Sequence, residues 1–407
     1  MDTKSKLPLA DIKVLDFGRL INVPLATKYL GDYGATVVQV ESPAHTSRSM
    51  FPFAGGVPGV NRSGLYAAYN SSKYNITLNL NHPEALEVVK RLVKWSDVVV
   101  ENYIPGVMKK WGLSYDDIRK IKPDIIMLSS STLGQEGPHR LQKSTGELLP
   151  AFAGFTNLTG WPDRLPVGQP NAYTDFIAPF YIVTAIIGAL SYRKKNGKGS
   201  YIDLSQIEAA IAQISHVVLD YSANGRIQGA IGNRSQYAAP HGVYRCQGDE
   251  RWCAIAVFTD EEWRNFCDVI GKPQWTMQAK FATLLQRKEH EDELDRLIEQ
   301  WTVRYPAEEV MKKMQQAGVP AGVAQNSKDL TQDPQLKHRG YFVAVDQPEM
   351  GLYYHERSSF KLSKTPARVR PAPCLGEHNE YVCTQILSMS DEEFIKLCCN
   401  GVFPSPC

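Results

Sequence analysis

Between residues 12 and 128, short apolar runs alternate with helical patterns, and this alternation restricts the fold more than any other feature of the chain. Residues 12–17 (IKVLDF) and 36–40 (TVVQV) read as strands, with a helical pattern at 24–33 between them, which makes a βαβ unit. A helix at 83–95 leads into a strand at 97–100 (DVVV), and a helix at 115–121 leads into another at 124–128 (DIIML). Strands separated by helices lie parallel in one sheet and take the helices on its faces, so the expected class is α/β with a doubly wound sheet.

The next stretch, 176–192 (FIAPFYIVTAIIGALSY), is apolar but carries Pro179 near its start, and its 17 residues fall short of the roughly 20 that cross a bilayer. It reads as a buried helix. Arg193, Lys194 and Lys195 suit a helix carboxyl end, and Asn196-Gly197-Lys198-Gly199 breaks the chain before a strand at 201–204. A helical pattern at 205–223 leads to a Gly-, Asn- and Ser-rich stretch at 224–236, read as a linker. Two strands around Gln247-Gly248-Asp249 and helices near 261–270, 291–302 and 306–316 suggest a smaller α+β domain. The last segment has extended runs with Pro366, Pro371 and Pro373, and a short helix at 391–398. The expected division is a Rossmann-like large domain (1–205), a linker (206–235), a small inserted domain (236–330) and a return segment (331–407) that completes the large domain.

Composition removes several functions. The 407 residues carry 45 Lys and Arg against 43 Asp and Glu, a net charge of +2, which offers no global field for nucleic acid or an anionic membrane. Neither partner is expected. The cysteines (Cys246, Cys253, Cys267, Cys374, Cys383, Cys398, Cys399, Cys407) form no CxxC pair and no zinc-ligand spacing, so reduced thiols and a cytoplasmic location are expected. The opening MDTKSKLPLADIK lacks the apolar core of a secretory signal, which points the same way. The first βα turn, Gly18-Arg19-Leu20-Ile21-Asn22-Val23, is not the GxGxxG of a dinucleotide enzyme, and no phosphate-binding GxxxxGK[ST], zinc HExxH or hydrolase GxSxG occurs. Glu41 with His45 and His216 with Asp220 have i, i+4 spacing but gather no third metal ligand. No metal is expected.

One carboxylate stands out. Asp175, in Tyr173-Thr174-Asp175, lies at the mouth of the apolar helix. There it reads either as a helix cap or as an ionised nucleophile able to attack an activated acyl group, and position alone leaves both open.

Several segments share an order and spacing across most of the chain: 8–17 (PLADIKVLDF), 30–41 (LGDYGATVVQVE), 73–80 (KYNITLNL), 97–103 (DVVVENY), Pro105-Gly106, 197–206 (GKGSYIDLSQ), 317–322 (AGVPAG), 333–336 (DPQL) and 375–378 (LGEH). Together they resemble the class III coenzyme A transferases, the family of formyl-CoA transferase, carnitine CoA-transferase and benzylsuccinate CoA-transferase. The resemblance implies that Asp175 is the nucleophile and that CoA passes through aspartyl anhydrides and an aspartyl-CoA thioester. It implies CoA binding at Leu20, Lys73, Leu78, Asn102 and Lys110, with Glu147 near the catalytic carboxylate. No permanently bound cofactor is implied, coenzyme A being a thioester substrate. The implied donor is an acyl-CoA such as succinyl-CoA. The implied acceptor is a carboxylic acid, aromatic or dicarboxylic, such as benzylsuccinate. Partner chains would form an interlocked homodimer or a heteromer with a related subunit.

The chain also departs from the family. Glu41 is followed by Ser42 where an arginine is usual, and the glycine-rich loop expected to supply oxyanion donors is not plain, leaving Gly232 or Gly242 to serve. Racemases of the family carry a His-Asp pair where this chain has Gly146-Glu147, which favours transfer over α-proton exchange. The alternatives are an acyl-CoA racemase or isomerase and a non-catalytic CoA-binding subunit.

Overall fold

The structure is a computed structural model and describes residues 6–42, 47–169 and 171–404. Of the sequence readings, His45 and Cys407 lie outside the described residues. The chain forms two compact units, one from 1–156, 168–227 and 337–407, the other from 157–167 and 228–336.

In the larger unit, β1 (Lys13–Asp16), β2 (Thr36–Glu41), β3 (Tyr74–Thr77), β4 (Val98–Glu101), β5 (Ile126–Ser131) and β6 (Ser200–Ser205) form one sheet in the order β3-β2-β1-β4-β5-β6. Every neighbouring pair is parallel, with Val14 opposite Val37 on one side and Val98 on the other. The strands are apolar on both faces because helices cover both. Leu15, Val38, Ile76, Val99 and Met127 face one core, filled by the helix Pro83–Trp95 and by Val382, Leu397 and Phe403 near the carboxyl end. Val14, Val37, Val98, Ile126 and Leu128 face the other, against the helices Asn22–Asp32 and Tyr173–Asn196. The chain's two ends are also joined by backbone bonds, Asn79 N–H donating to Val402 O (3.0 Å) and His378 N–H to Asn75 O (3.0 Å). A hairpin of β10 (Phe342–Gln347) and β11 (Gly351–Glu356) belongs to the same unit. In the smaller unit, β7 (His241–Arg245), β8 (Trp252–Ala256) and β9 (Ala321–Val323) make an antiparallel sheet over a core that includes Trp263, Phe266, Phe281 and Trp301.

Four features differ from the sequence reading. β3 is a strand that the alternation passes over, because only four residues pair and Asn75 interrupts the apolar run. The helical pattern at 205–223 belongs to the larger unit and breaks into Gln206–Ile211, a 3-10 turn at Ala212–Ile214 and Ser215–Asn224, so it is not a linker. Residues 157–167 group with the smaller unit. The apolar helix runs over 24 residues, Tyr173–Asn196, and by length and composition alone could cross a bilayer. It gains its extra length from 173–175 and from the cationic last turn, and Gly197 (φ 67°) ends it in the left-handed conformation. Ala178, Ile182 and Ile186 are buried against the sheet, while Phe180, Tyr181, Ile187 and Tyr192 are exposed.

Candidate active site

The order of the sheet reverses between β1 and β4, and a doubly wound sheet opens a crevice at the carboxyl ends of its strands at that point. A cleft of about 500 Å³ lies there, lined by the turn after β1 (Arg19 to Asn22), the turn after β4 (Asn102 to Pro105), the end of β5 (Ser130 to Thr132), residues 140–146, Asp175 and Gln206. A smaller cavity of about 120 Å³ adjoins it through Arg19 and Tyr103 and reaches Glu41, Ser42, Asn79 and Trp111.

Asp175 sits in the first turn of its helix, but it is not the cap. The helix starts at Tyr173, the capping position is Ala172, and Asp175 N–H donates to Ala172 O (2.8 Å). Instead of accepting bonds from the helix terminus, the carboxylate is half-buried. Burial raises its pKa from the ordinary 3.8 to about 6, against the lowering effect of a hydrogen bond from Gln206. The backbone of Gly146 presses on it: a methyl group on Gly146 would lie 2.6 Å from Asp175 Oδ2 and closer still to Ala172 Cβ. The result is a carboxylate still ionised at neutral pH yet poorly solvated, which is the condition of a reactive nucleophile.

The turn after β1 is held by amide side chains. Asn102 accepts from Arg19 N–H (2.8 Å) and donates to Arg19 O (2.9 Å) and Asn22 Oδ1 (2.6 Å), while Asn22 donates to Ser130 Oγ (3.0 Å). This clamp holds Leu20 at φ 62° with its side chain exposed at the cleft. Arg19, Arg140 and Lys143 make the cleft cationic beside Asp175, and Leu20, Ile21, Ile104 and Leu141 make it partly apolar. That combination suits an anionic substrate with an alkyl portion, such as an acyl-CoA. Arg19 Nε, Ser131 Oγ, Ser144 Oγ and Gln206 Oε1 are buried at this site without a hydrogen-bond partner. Buried polar atoms are nearly always paired, so four orphans around one cleft mark a place prepared for a ligand.

Of the expected CoA contacts, Leu20 and Asn102 line the cleft. Lys73 does not: its ammonium is buried, bonded to Asp16 Oδ2 (3.0 Å) and Asn70 Oδ1 (2.9 Å), and burial lowers its pKa. It neutralises Asp16 and has no free charge for a phosphate. Leu78 is fully buried in the core beneath the sheet. Lys110 and Glu147 are exposed and are not among the residues that line the cleft. Gly232 and Gly242 lie in the smaller unit, packed against Trp161 and Tyr244. His216 and Asp220 share a helix, and Asp220 pairs with Arg226 (2.7 Å). The sequence reading missed Gln206, Arg140, Lys143, Ser144 and the role of Gly146. Gln206 had a signal, because Ser205 and Glu208 have capping spacing and place Gln206 at the start of a helix; Ser205 Oγ accepts from Glu208 N–H (3.4 Å). The loop residues had none, since only folding brings 140–146 to Asp175.

Comparison with known proteins bears on this geometry. A family model for CoA-transferase family III matches residues 9–379. The chain is 31% identical over 391 residues to a succinyl-CoA–D-citramalate CoA-transferase of Chloroflexus aurantiacus, covering 96% of each. It is also 31% identical over 397 residues to the beta subunit of a succinyl-CoA–L-malate CoA-transferase of the same organism, covering 96% of this chain and 97% of that one. The crystal structure of a CAIB/BAIF family protein from Brucella suis superposes with a TM-score of 0.86 at 27% identity, over 94% of this chain and 100% of that one. With its parallel sheet, a cationic cleft at the switch point and a family match that spans nearly its whole length, this chain belongs to CoA-transferase family III.

Proposed function

We propose that this enzyme carries CoA from succinyl-CoA, or a similar acyl-CoA, to a dicarboxylic acid by way of covalent intermediates on Asp175. The carrying observation is the state of that side chain: a half-buried carboxylate with its pKa near 6, at the wall of a cationic cleft. Two relatives named for succinyl-CoA and for citramalate or malate, both dicarboxylic acids, support the donor and the acceptor class.

In this mechanism Asp175 Oδ attacks the thioester carbonyl, the C–S bond breaks, and CoA thiolate leaves from a mixed anhydride. The thiolate then attacks the aspartyl carbonyl carbon, the bond to the donor acyl oxygen breaks, and the donor acid departs as its carboxylate. The acceptor carboxylate attacks the aspartyl-CoA thioester, thiolate leaves, and thiolate attacks the acceptor carbonyl to regenerate Asp175. No proton is gained or lost overall, so the cleft needs a nucleophile and charge stabilisation more than an acid and base. Among the described residues, those that line the cleft include no histidine, which favours this course over α-proton exchange. The exposed Phe180, Tyr181, Ile187 and Tyr192, with an apolar groove of about 410 Å³ that Tyr29, Phe180 and Phe360 help to line, support a second chain covering the long helix.

The test is a CoA-exchange screen of the purified protein with succinyl-CoA or acetyl-CoA and a panel of mono- and dicarboxylic acids. It is joined to trapping with donor alone: hydroxylamine or borohydride should modify the peptide containing Asp175. Exchange without a trapped adduct would overturn the covalent course. Loss of an α-deuterium without exchange would make the chain an isomerase, and neither activity would make it a binding subunit.

A further inference from the structure

We propose that Gln206 is a catalytic donor whose Nε2–H holds Asp175 and then stabilises the oxyanion on the aspartyl carbonyl. This rests on Asp175 being the nucleophile. Gln206 is the first residue of the helix Gln206–Ile211 and is 5% exposed, so its amide has little freedom and little water. It lines the same cleft as Asp175, and a side-chain hydrogen bond from it is what lowers the Asp175 pKa against the effect of burial. A carboxylate only accepts, so the amide must present Nε2 to it, and Oε1 points elsewhere; Oε1 is buried with no partner. A glutamine serving the fold alone would be expected to satisfy both ends, because a buried amide oxygen without a donor is destabilising. An amide that leaves one end unpaired in order to face one carboxylate is placed for the chemistry of that carboxylate.

The role differs between the steps. When Asp175 attacks the acyl-CoA, negative charge develops on the substrate's carbonyl oxygen and leaves Asp175, so Gln206 has no favourable part. When thiolate attacks the aspartyl carbon, the electron pair of the C=O bond moves onto the Asp175 oxygen that is not bridging to the acyl group. Collapse of that species expels the donor carboxylate and restores the C=O, leaving the aspartyl-CoA thioester. A donor fixed beside Asp175 strengthens its bond in this step and in the later attack of the acceptor carboxylate on the thioester.

The experiment uses full-length enzyme with Gln206→Leu, and Gln206→Met as a second variant of matched length should the first fail to fold. Each should lower kcat by about 100-fold or more, the scale of removing one oxyanion donor, with little change in KM for the acyl-CoA. After a rapid quench with succinyl-CoA alone, intact-mass spectrometry should find more succinyl adduct and less CoA adduct than in the wild type, because the second step is selectively slowed. The acid limb of kcat/KM should move to higher pH, since the lost hydrogen bond favoured the ionised carboxylate. A folded variant with near-wild-type kcat, or a lowered kcat with an unchanged ratio of adducts, would overturn the proposal. Asp175→Ala separates the two readings. If it is inactive while Gln206→Leu is active, only the role of Gln206 falls; if it keeps turnover, the nucleophile falls too.

Discussion

Asp16 and Asp175 are both carboxylates beside the crevice at the carboxyl edge of one sheet, and they are treated in opposite ways. Asp16, at the end of β1, is fully buried and accepts from Gly18 N–H (2.6 Å), Thr27 Oγ1–H (2.6 Å) and the Lys73 ammonium (3.0 Å). Asp175, in the first turn of the long helix, is matched by Gln206 and by no ion pair among the described residues, and burial raises its pKa to about 6. A buried charge held by three donors, one of them a counter-charge, fixes geometry, whereas one left short of partners stays reactive and makes the fold less stable. The difference fits Asp16 to the scaffold and is what the proposed chemistry asks of Asp175.

The largest effects should come from exchanging these roles. Asp175→Ala is expected to reduce CoA exchange by about 10⁴-fold or more while the melting transition stays cooperative. Asp16→Asn should do the reverse. It leaves the Lys73 ammonium buried without its counter-charge, which costs about 3–5 kcal/mol, while the folded fraction keeps turning over. Urea unfolding beside an exchange assay reads both. A variant of Asp16 that is stable but inactive would break the comparison.

Next in size is Gly146→Ala. The added methyl must displace Asp175 or the loop that carries it, and a shift of about 1 Å at a reacting group costs about 100-fold in rate. Full activity in this variant would mean that the close approach of Gly146 has no part in placing the carboxylate.

The pH dependence is smaller and has a definite sign. Below about pH 6 Asp175 takes up a proton, so kcat/KM should fall about tenfold per pH unit on the acid side. Its folded pKa is above the ordinary value of 3.8, so the protonated form favours folding below about pH 4, and that stability is lost as pH rises through 6. Asp175→Asn should therefore be more stable than the wild type at pH 7, by on the order of 3 kcal/mol, and the gap should close as pH falls to 4. Thermal melts across pH 4 to 8 test it, and a gap that does not depend on pH would contradict it.

The least change is expected from the thiols. Burial pushes Cys253 and Cys383 up to about 12 and Cys267 to about 11, so these remain protonated and unreactive at neutral pH. Single Cys→Ser variants should alter kcat by less than about twofold, a buried hydroxyl affecting stability rather than chemistry. Loss of exchange in a folded Cys→Ser variant would move the nucleophile away from Asp175.

Periodicity was enough for the parallel sheet apart from β3, because strands buried on both faces are apolar throughout and crossover helices between strands of one sheet make those strands parallel. It was also enough to place Asp175 at a helix mouth, since an apolar run with a cationic end has only one start. The family resemblance, not periodicity, put Lys73 and Leu78 at the CoA site, and neither reaches the cleft. Both occur in a segment shared with the family, but a linear sequence does not say which way a side chain points, and here one faces Asp16 and the other the core.

By itself, then, the sequence determined most strands and helices of the parallel sheet, β3 excepted, and which carboxylate stands in the first turn of the apolar helix, because local sterics and patterned burial are properties of neighbouring residues. Tertiary structure alone decided that Gly146 presses on Asp175, that Gln206 faces it, and that Lys73 is consumed by Asp16. Solvation and hydrogen-bond partners set what a carboxylate can do, and they come from residues 29 positions before Asp175 and 31 after it, brought beside it only when the sheet closes.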